Sequence, residues 1–401
     1  MCRYWRSAII EHMLRGLKYR LYPTPEQEHL LAKAFGCSRT AYNWAIRERE
    51  RAHADGEKTP TKFDLNVRMT KLKVELPWLR EVSDWVLKEA IADAIQAYEN
   101  FFAHRARYPR VRRKHDSKQS MRFRRPVHKG ANHVLVPKIG VMRFREHRPL
   151  DGTVKTATIT KSPSGRYHIS FLVDDGVEPP PKPDVVTEAV GIDVGLADFA
   201  ILSTGEKVPN PNFGRSDRRI RGLQRKLARQ RKGSNRYRET KRKIAREHER
   251  IADRRSAFLH ELSSRLVSEN QAVAVEDLNV SGMLKNHCLA RSISDASWSE
   301  FFRMLEYKCE RNGVHLMRCD RWEPTSKTCS HCGHRMGRMP LDVRRWVCPE
   351  CGCLHDRDVN AAINILSAAS AEYGRGGQVR LRLPQLSAAR RSVKPPASAV
   401  G

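Results

Sequence analysis

Three acidic residues stand where a charge is costly. Asp193 closes an apolar run in Gly191-Ile192-Asp193-Val194-Gly195, and Glu276 closes Ala272-Val273-Ala274-Val275-Glu276. Asp358 lies in His355-Asp356-Arg357-Asp358-Val359-Asn360-Ala361-Ala362, where a helix is predicted to begin. A carboxylate at the end of a buried strand is expensive unless it is paired or binds a cation. Three such groups brought together can hold two divalent ions roughly 4 Å apart, one activating water and one stabilising the leaving oxygen of a phosphodiester. Oxygen ligands and a phosphate substrate select Mg2+ or Mn2+. Taken singly, each acid also has a structural reading: Asp193 in a turn, Glu276 as a strand-end surface residue, Asp358 as a helix cap. Asp198, Asp277 and Asp356 are competing neighbours, Asp356 most directly with Asp358. The conjunction on matching elements favours a shared site.

Of ten cysteines, four fall as Cys329-x2-Cys332 and Cys348-x2-Cys351, with fifteen residues between the pairs. Each pair is read as a knuckle, and two knuckles complete a tetrahedral zinc site. Four thiolates leave no open position, so this one Zn2+ is predicted to be structural. Redox pairing is the alternative, but two close knuckles suit a metal better. Cys353, His331, His334 and His355 are read as spectators. A ribbon placed just before Asp358 would position that acid, making zinc an indirect requirement for activity. The scattered remaining cysteines do not form a secreted disulfide framework, so a reducing, cytoplasmic setting is expected.

The chain is strongly basic: 75 Lys+Arg against 45 Asp+Glu in 401 residues, a formal charge of +30. Solubility alone needs a charge of only about 2 to 8, so an excess this large points to a polyanion. The hydrophobic fraction of 40% and seven Trp exclude wholesale disorder. No apolar run is long enough to span a membrane, and the first residues do not pattern as a signal peptide. Residues 215–255 carry eighteen Lys or Arg against five acids, among them Arg218, Arg219, Arg221, Arg225, Lys226, Arg229, Arg231 and Lys232. Internal i,i+4 pairing cannot absorb that excess, so the segment is assigned to a phosphate backbone. Arg105, Arg107, Arg110, Arg112, Arg113 and Lys114, with Tyr108 among them, form a second basic patch where base stacking is an option.

The elements that must position these groups follow from period and punctuation. A strand over 17–22 precedes Thr24-Pro25-Glu26-Gln27, a capping box with Pro at the first helical position. Helical spacing then dominates 24–105, including the stripe Val86, Leu87, Ile91, Ala94, Ile95, Tyr98 and Phe102. From about 119 the period becomes two: strands are predicted at 121–123, 133–136, 141–145, 154–160 and 167–173, forming a small barrel with the strand at 17–22. The Pro-rich run from Asp174 to Asp184 reads as a domain boundary. Beyond it come strands at 186–194 and 199–203, a long helical segment at 215–269, a strand at 272–276, a helix near 294–311, a strand at 314–318 and a helix from about 359. Early strands followed by alternating helix and strand is the ribonuclease-H-like order, interrupted here by the cysteines.

These residues resemble the TnpB family, transposon-encoded nucleases related to type V CRISPR effectors. Gly191–Gly195, Val275-Glu276-Asp277-Leu278 and Asp356–Ala362 look like its three RuvC motifs. Tyr19-Arg20-Leu21-Tyr22-Pro23-Thr24 looks like its opening, and Pro324-Thr325-Ser326-Lys327-Thr328-Cys329-Ser330-x-Cys332-Gly333 like its zinc-ribbon entry. The likeness spans about 14 to 370, departing in a segment before Met13 and an Arg-rich tail. It implies an α+β multidomain chain: a wedge-type β-barrel over 14–176 with a helical recognition insertion at about 24–118, and a RuvC-like nuclease domain over 185–321. A zinc ribbon at 322–355, the last RuvC helix at 356–372 and a disordered basic tail at 373–401 complete it. It further implies an RNA-guided DNA endonuclease with Asp193, Glu276 and Asp358 as catalytic acids. A guide RNA from the transposon end and target double-stranded DNA beside a short adjacent motif would be its partners, in a prokaryotic cytoplasm. A non-cleaving regulator of transposition and a guide-independent junction nuclease are the rival readings. The sequence does not choose between monomer and homodimer.

Overall fold

The computed structural model describes residues 14–116, 119–124, 126–128, 130, 132–211, 214–337, 339–340, 342–375 and 380–381. The segment before Met13 lies outside them. The chain divides into two compact units, Met1–Glu178 with Gly222–Glu247, and Pro179–Arg221 with His248–Gly401. Among the described residues, no helix is long and apolar enough to cross a membrane.

The first unit opens with strand β1 (Leu14–Tyr22), then helices α1 (Pro25–Ala54), α2 (Lys62–Glu75) and α3 (Asp84–Phe102). Both α1 and α2 start at a capping box. The Thr24 hydroxyl accepts from Gln27 N–H while Gln27 Oε1 accepts from Thr24 N–H, and Thr61 and Asp64 repeat the exchange. Two orphan amides are thereby satisfied at each end. Strands β2 (Gln119–Arg124), β3 (Val127–His128), β4 (His133–Val136), β5 (Gly140–Arg145), β6 (Thr153–Lys161) and β7 (Tyr167–Asp174) follow. With β1 they form an antiparallel sheet in the order β2-β6-β7-β1-β5-β4-β3. Burial alternates along β7, with Tyr167, Ile169, Phe171 and Val173 inward, and these pack with Tyr19, Phe123, Phe144 and the apolar faces of α1 and α3 into one core. No pairing joins β2 to β3 among the described residues, so the predicted barrel is an open half-barrel. The helices lie between β1 and β2 in the chain, as the change of period indicates.

Beyond Glu178, β8 (Val185–Val186), β9 (Ala189–Val194), β10 (Asp198–Leu202) and β11 (Lys207–Pro209) precede α4 (Gly214–Ala228) and α5 (Asn235–Glu269), of which residues 222–228 and 235–247 belong to the first unit and the rest to the second. The chain continues through β12 (Ala272–Glu276), the short α6 (Val280–Met283) and α7 (Ala290–Ala296), α8 (Trp298–Arg311), β13 (His315–Cys319), β14 (Arg345–Val347), β15 (Leu354–Asp356) and α9 (Arg357–Arg375). The five-stranded sheet runs β11-β10-β9-β12-β13, with β9, β12 and β13 parallel and β10 antiparallel to both neighbours. Ala272 to Val275 are all buried, the signature of a central strand covered on both faces. On one face Val190, Ile192, Val273 and Val275 meet Leu259, Leu262 and Leu266 of α5 and Phe301 and Leu305 of α8. On the other, Ala189, Ala272, Ala274 and Met317 meet Ile365, Leu366 and Ala369 of α9.

The predicted disordered tail at 373–401 gives way at two points. Helix α9 runs on to Arg375, and β16 (Arg380–Leu381) pairs in parallel with β8. The rest of that tail lies outside the described residues.

Candidate active site and metal centre

Alternation along two neighbouring strands places the first two acids. In the parallel β9–β12 pair, Ala272 faces Ala189, Ala274 faces Gly191 and Val275 faces Ile192. Asp193 and Glu276 are the next residues, on strands about 4.8 Å apart. Period two puts both on the face that carries Ala189 and Ala274, which is the face covered by α9. Gly191 makes that cover close: a Cβ there would lie 2.2 Å from Ala362 O and 2.8 Å from Leu366 Cβ. Any side chain at 191 would lift the helix bearing Asp358.

The electrostatics record the convergence. Burial first, then the negative charges of Glu276 and Asp358, push the Asp193 carboxyl up to about 7, against relief from Val194 N–H and the Arg357 guanidinium. Burial also raises the Glu276 carboxyl, while the Thr325 hydroxyl, donating to Oε1 at 3.2 Å, opposes it. Arg344 Nη1 lies 3.3 Å from an Asp358 carboxylate oxygen. The neighbouring acids are otherwise engaged. Asp356 accepts from the N–H groups of Asp358 and Val359, both at 3.2 Å, and pairs with Lys207 at 2.7 Å. It is therefore the helix cap, and Asp358 is left free of that duty. Asp277 pairs with Arg321. The approach of the three acids is looser than that of the sulfur groups: among the described residues, the sets of three or more ligand atoms all within 4.8 Å of one another both contain thiols.

Cys329, Cys332, Cys348 and Cys351 form such a set. The two knuckles share one hydrogen-bond plan: Cys329 N–H donates to His334 O and Gly333 N–H to Cys329 O, Cys348 N–H to Cys353 O and Gly352 N–H to Cys348 O, all at 2.9 Å. Gly333 and Gly352 sit at φ of 79° and 70°, which only glycine adopts freely. Paired sulfurs lie 3.7 Å (Cys329–Cys351) and 3.6 Å (Cys332–Cys348) apart. His331, Cys351 and Cys353 form a second close set sharing one sulfur, and His355 Nε2 lies 3.0 Å from Cys329 Sγ. These residues stand nearer the cluster than a spectator role suggests; His334 contributes only its carbonyl.

A joint connects the two sites, and sequence reading missed it. Asn360 and Asn364, one turn apart on α9, donate to the knuckle's approach: Asn360 Nδ2 to Thr328 O at 2.8 Å, Asn364 Nδ2 to Thr325 O at 2.7 Å and to Thr328 O at 2.6 Å. Asn360 Oδ1 accepts from Ser330 N–H at 2.9 Å. Asn360 is 1% exposed, and a buried polar side chain at i with a partner at i+4 in an otherwise apolar stretch was the available signal.

The basic residues separate into two kinds. Arg218, Arg219, Arg221, Arg225 and Lys226 are exposed on α4, and Arg229, Arg231 and Lys232 are exposed in the turn after it. Ile220 is buried on that helix, giving the apolar edge. In the second patch Arg110 and Arg113 are exposed, but Arg112 is an anchor. Its guanidinium lies 3.8 Å from the Tyr42 ring centroid and 3.3 Å from Asp93, and Asn43 holds both its N–H and its carbonyl.

The chain is similar to known proteins over nearly its whole length. The model OrfB_IS605 ("Probable transposase") matches residues 170–287, Cas12f1-like_TNB ("Cas12f1-like, TNB domain") residues 298–365, and HTH_OrfB_IS605 ("Helix-turn-helix domain") residues 13–58. A Streptomyces pristinaespiralis protein named "Putative RNA-guided DNA endonuclease" is 42% identical over 393 residues, covering 96% of this chain and 97% of that one. The Escherichia coli K12 protein "Putative RNA-guided DNA endonuclease InsQ" is 31% identical, covering 92% and 96%. The fold is shared with the protein in "Cryo-EM structure of the Cas12f1-sgRNA-target DNA complex", at a TM-score of 0.56 and 11% identity over 88% of this chain and 98% of that one. By its end-to-end likeness to these relatives, and by the two OrfB_IS605 matches, the chain belongs to the TnpB family.

Proposed function

We propose that this protein is an RNA-guided DNA endonuclease of a transposable element, cutting DNA by metal-dependent phosphodiester hydrolysis. The observation that carries the reading is the convergence of Asp193, Glu276 and Asp358 from two adjacent strands and the helix covering them. Burial together with the negative charges of Glu276 and Asp358 raises Asp193 to about 7, and a divalent cation bound there would relieve that cost. The all-oxygen donor set fits Mg2+ or Mn2+. Two such ions, when bound, activate water and stabilise the leaving oxygen. The chain's own contribution is to orient the acids. Thr325 holds Glu276, Asp356 takes over the cap so that Asp358 stays available, and Gly191 admits the helix. The strand order and directions of the five-stranded sheet support a RuvC-like, ribonuclease-H-type domain. The four thiols fit one Zn2+ as a closed structural centre, in a zinc ribbon reaching α9 through Asn360 and Asn364.

Guide RNA and target double-stranded DNA are the proposed partners, engaged through exposed cations such as Arg218, Arg219, Arg221, Arg225, Lys226, Arg229, Arg231, Lys232, Arg110 and Arg113. Base pairing would then choose the sequence. The test is to express the protein with its flanking transposon-end DNA, sequence the co-purified RNA, and assay cleavage with Mg2+. A discrete RNA and cutting that falls about 1,000-fold or more in Asp193→Ala, on the scale of losing one essential group of a catalytic unit, are expected. Guide-free protein that cuts equally well removes the guide, and an Asp193→Ala protein that cuts normally removes the site.

A further inference from the structure

We propose that Trp322 is a substrate-positioning residue: its indole is the platform on which a base of the DNA strand being cut stacks, holding the adjoining phosphodiester beside the carboxylates. The inference rests on the nuclease reading above and adds a residue that holds the substrate strand at its site.

Trp322 is 85% exposed, the most exposed large apolar side chain among the described residues. Its ring takes part in none of the aromatic or cation–π contacts described. Yet its backbone is tied down. The Asp320 carboxylate accepts from Trp322 N–H at 2.8 Å, Glu323 N–H donates to Asp320 O at 3.1 Å, and Thr325 N–H donates to Glu323 O at 2.8 Å. On one side of the indole, Arg321 pairs with Asp277; on the other, Thr325 donates to Glu276 at 3.2 Å. The turn is thus fastened at both ends to the Glu276-Asp277 dipeptide, with the indole left in water between the fastenings.

That combination is informative. An apolar side chain of this size gains from burial, so one held in solvent on a rigid turn stores its contact for a ligand. Trp has two rotatable side-chain bonds and little entropy to lose when it is covered. Position and chemistry together name the occupant. Whatever strand delivers a phosphodiester to Asp193 and Glu276 passes the turn that holds Glu276, and a flat π face accepts any base without regard to sequence. A base inside a duplex already has both faces stacked, so the strand at this point must be single.

Two measurements test this. The first is titration of full-length Asp193→Ala protein, which cannot cut, with oligothymidylate while indole emission is followed. Quenching is expected, and a measurable part of it disappears in the Asp193→Ala/Trp322→Phe protein; equal quenching in both overturns the proposal. The second is cleavage of a guide-complementary single strand by RNA-loaded protein. Stacking is uniform binding, so Trp322→Ala raises KM about tenfold or more with kcat within about twofold, and Trp322→Tyr recovers most of the loss. A fall in kcat shared equally by the Ala and Tyr variants, or no change in Trp322→Ala, overturns it. Should the wild-type protein cut nothing, the nuclease reading fails, and the quenching experiment still decides whether the indole meets a base.

Discussion

The two candidate ion sites of the second unit are built in opposite ways. The thiol cluster is local: all four sulfurs come from 23 consecutive residues, on two knuckles with the same two-bond plan and the same left-handed glycine. The carboxylate cluster is topological. Asp193 and Glu276 lie more than eighty positions apart and meet only because β9 and β12 are neighbours in register, while Asp358 joins them only because α9 lies flat on that pair. One region has its candidate ligands gathered by a short stretch of chain, and the other needs a whole domain to gather them. A perturbation of either should reveal how far it governs the other.

The largest effect is expected from breaking the local cluster. Cys348→Ser removes one of four ligands from a closed site, and structural zinc in small domains contributes on the order of 10 kcal/mol to their folding. Zinc content measured by elemental analysis should fall from about one per chain to near zero, with protease cleavage appearing between Thr325 and His355. DNA cutting should fall with it, because the knuckle carries the backbone that Asn360 and Asn364 grip. Full cutting by zinc-free protein would show the two regions to be independent.

Breaking the topological cluster asks the converse. Gly191→Ala drives a methyl to 2.2 Å from Ala362 O, a backbone atom of a packed helix that cannot yield as a flexible side chain would. Overpacking of this kind costs about 3 kcal/mol, and the strain is relieved by lifting α9 from β9, which withdraws Asp358 from Asp193. Cleavage should be lost while zinc stays stoichiometric. A variant that cuts normally would mean that the helix has another resting place.

How much of this was legible beforehand follows the same division. Cysteine spacing names a tetrahedral centre without any fold, and the capping box at Thr24 and the period-two strands of the first unit are equally local signals. The acids became readable only in company, as charges ending apolar strands. Taken alone, Asp356 and Asp358 were interchangeable, and the distinction came from a cap geometry that no spacing encodes. Closure of the half-barrel depends on pairing between its end strands, which composition does not report. Arg112 illustrates the limit on the basic side: it reads like its neighbours, but stacking on Tyr42 and the grip of Asn43 set it apart. Cations reveal partners by number, and only contacts reveal which of them are already spent.

The joint between the regions can be loosened without breaking either. Asn360→Ala deletes one acceptor and one donor from a buried site and strands Ser330 N–H, while Asn364 still donates to Thr328 O. Leaving buried partners unsatisfied costs about 1–3 kcal/mol. Thermal melting should show that loss with zinc still bound, and cutting should slow by about tenfold, the rate equivalent of about 1.4 kcal/mol at the active site. Asn360→Asp keeps the acceptor for Ser330 and should recover part of the rate. A rate unchanged in Asn360→Ala, despite the stability loss, would limit the joint to a structural part.

The smallest effect carries the opposite sign. Because the folded chain raises the Asp193 carboxyl to about 7 from an ordinary 3.8, the folded state holds a proton that the unfolded state has released. The group therefore favours folding fully below pH about 4, and that contribution drains away as pH rises towards 7. Above that the Mg2+-free protein bears the whole cost of ionising a buried Asp193 beside two other acids, at most about 4 kcal/mol by linkage. The carboxylate retains some access to solvent, so about 1–2 kcal/mol is the expected size. Asp193→Asn removes the charge, so in Mg2+-free buffer at pH 8 the variant should melt a few degrees above the wild type, with the gap closing towards pH 4. Adding Mg2+ should raise the wild-type melting temperature and leave the variant's nearly still. The thiolate site offers no counterpart, since removing one of its ligands only destabilises. Equal melting of the two proteins at pH 8 would mean that neither burial nor the neighbouring acids penalise an ionised Asp193 in the folded chain, and the cluster would lose its reason to bind a cation.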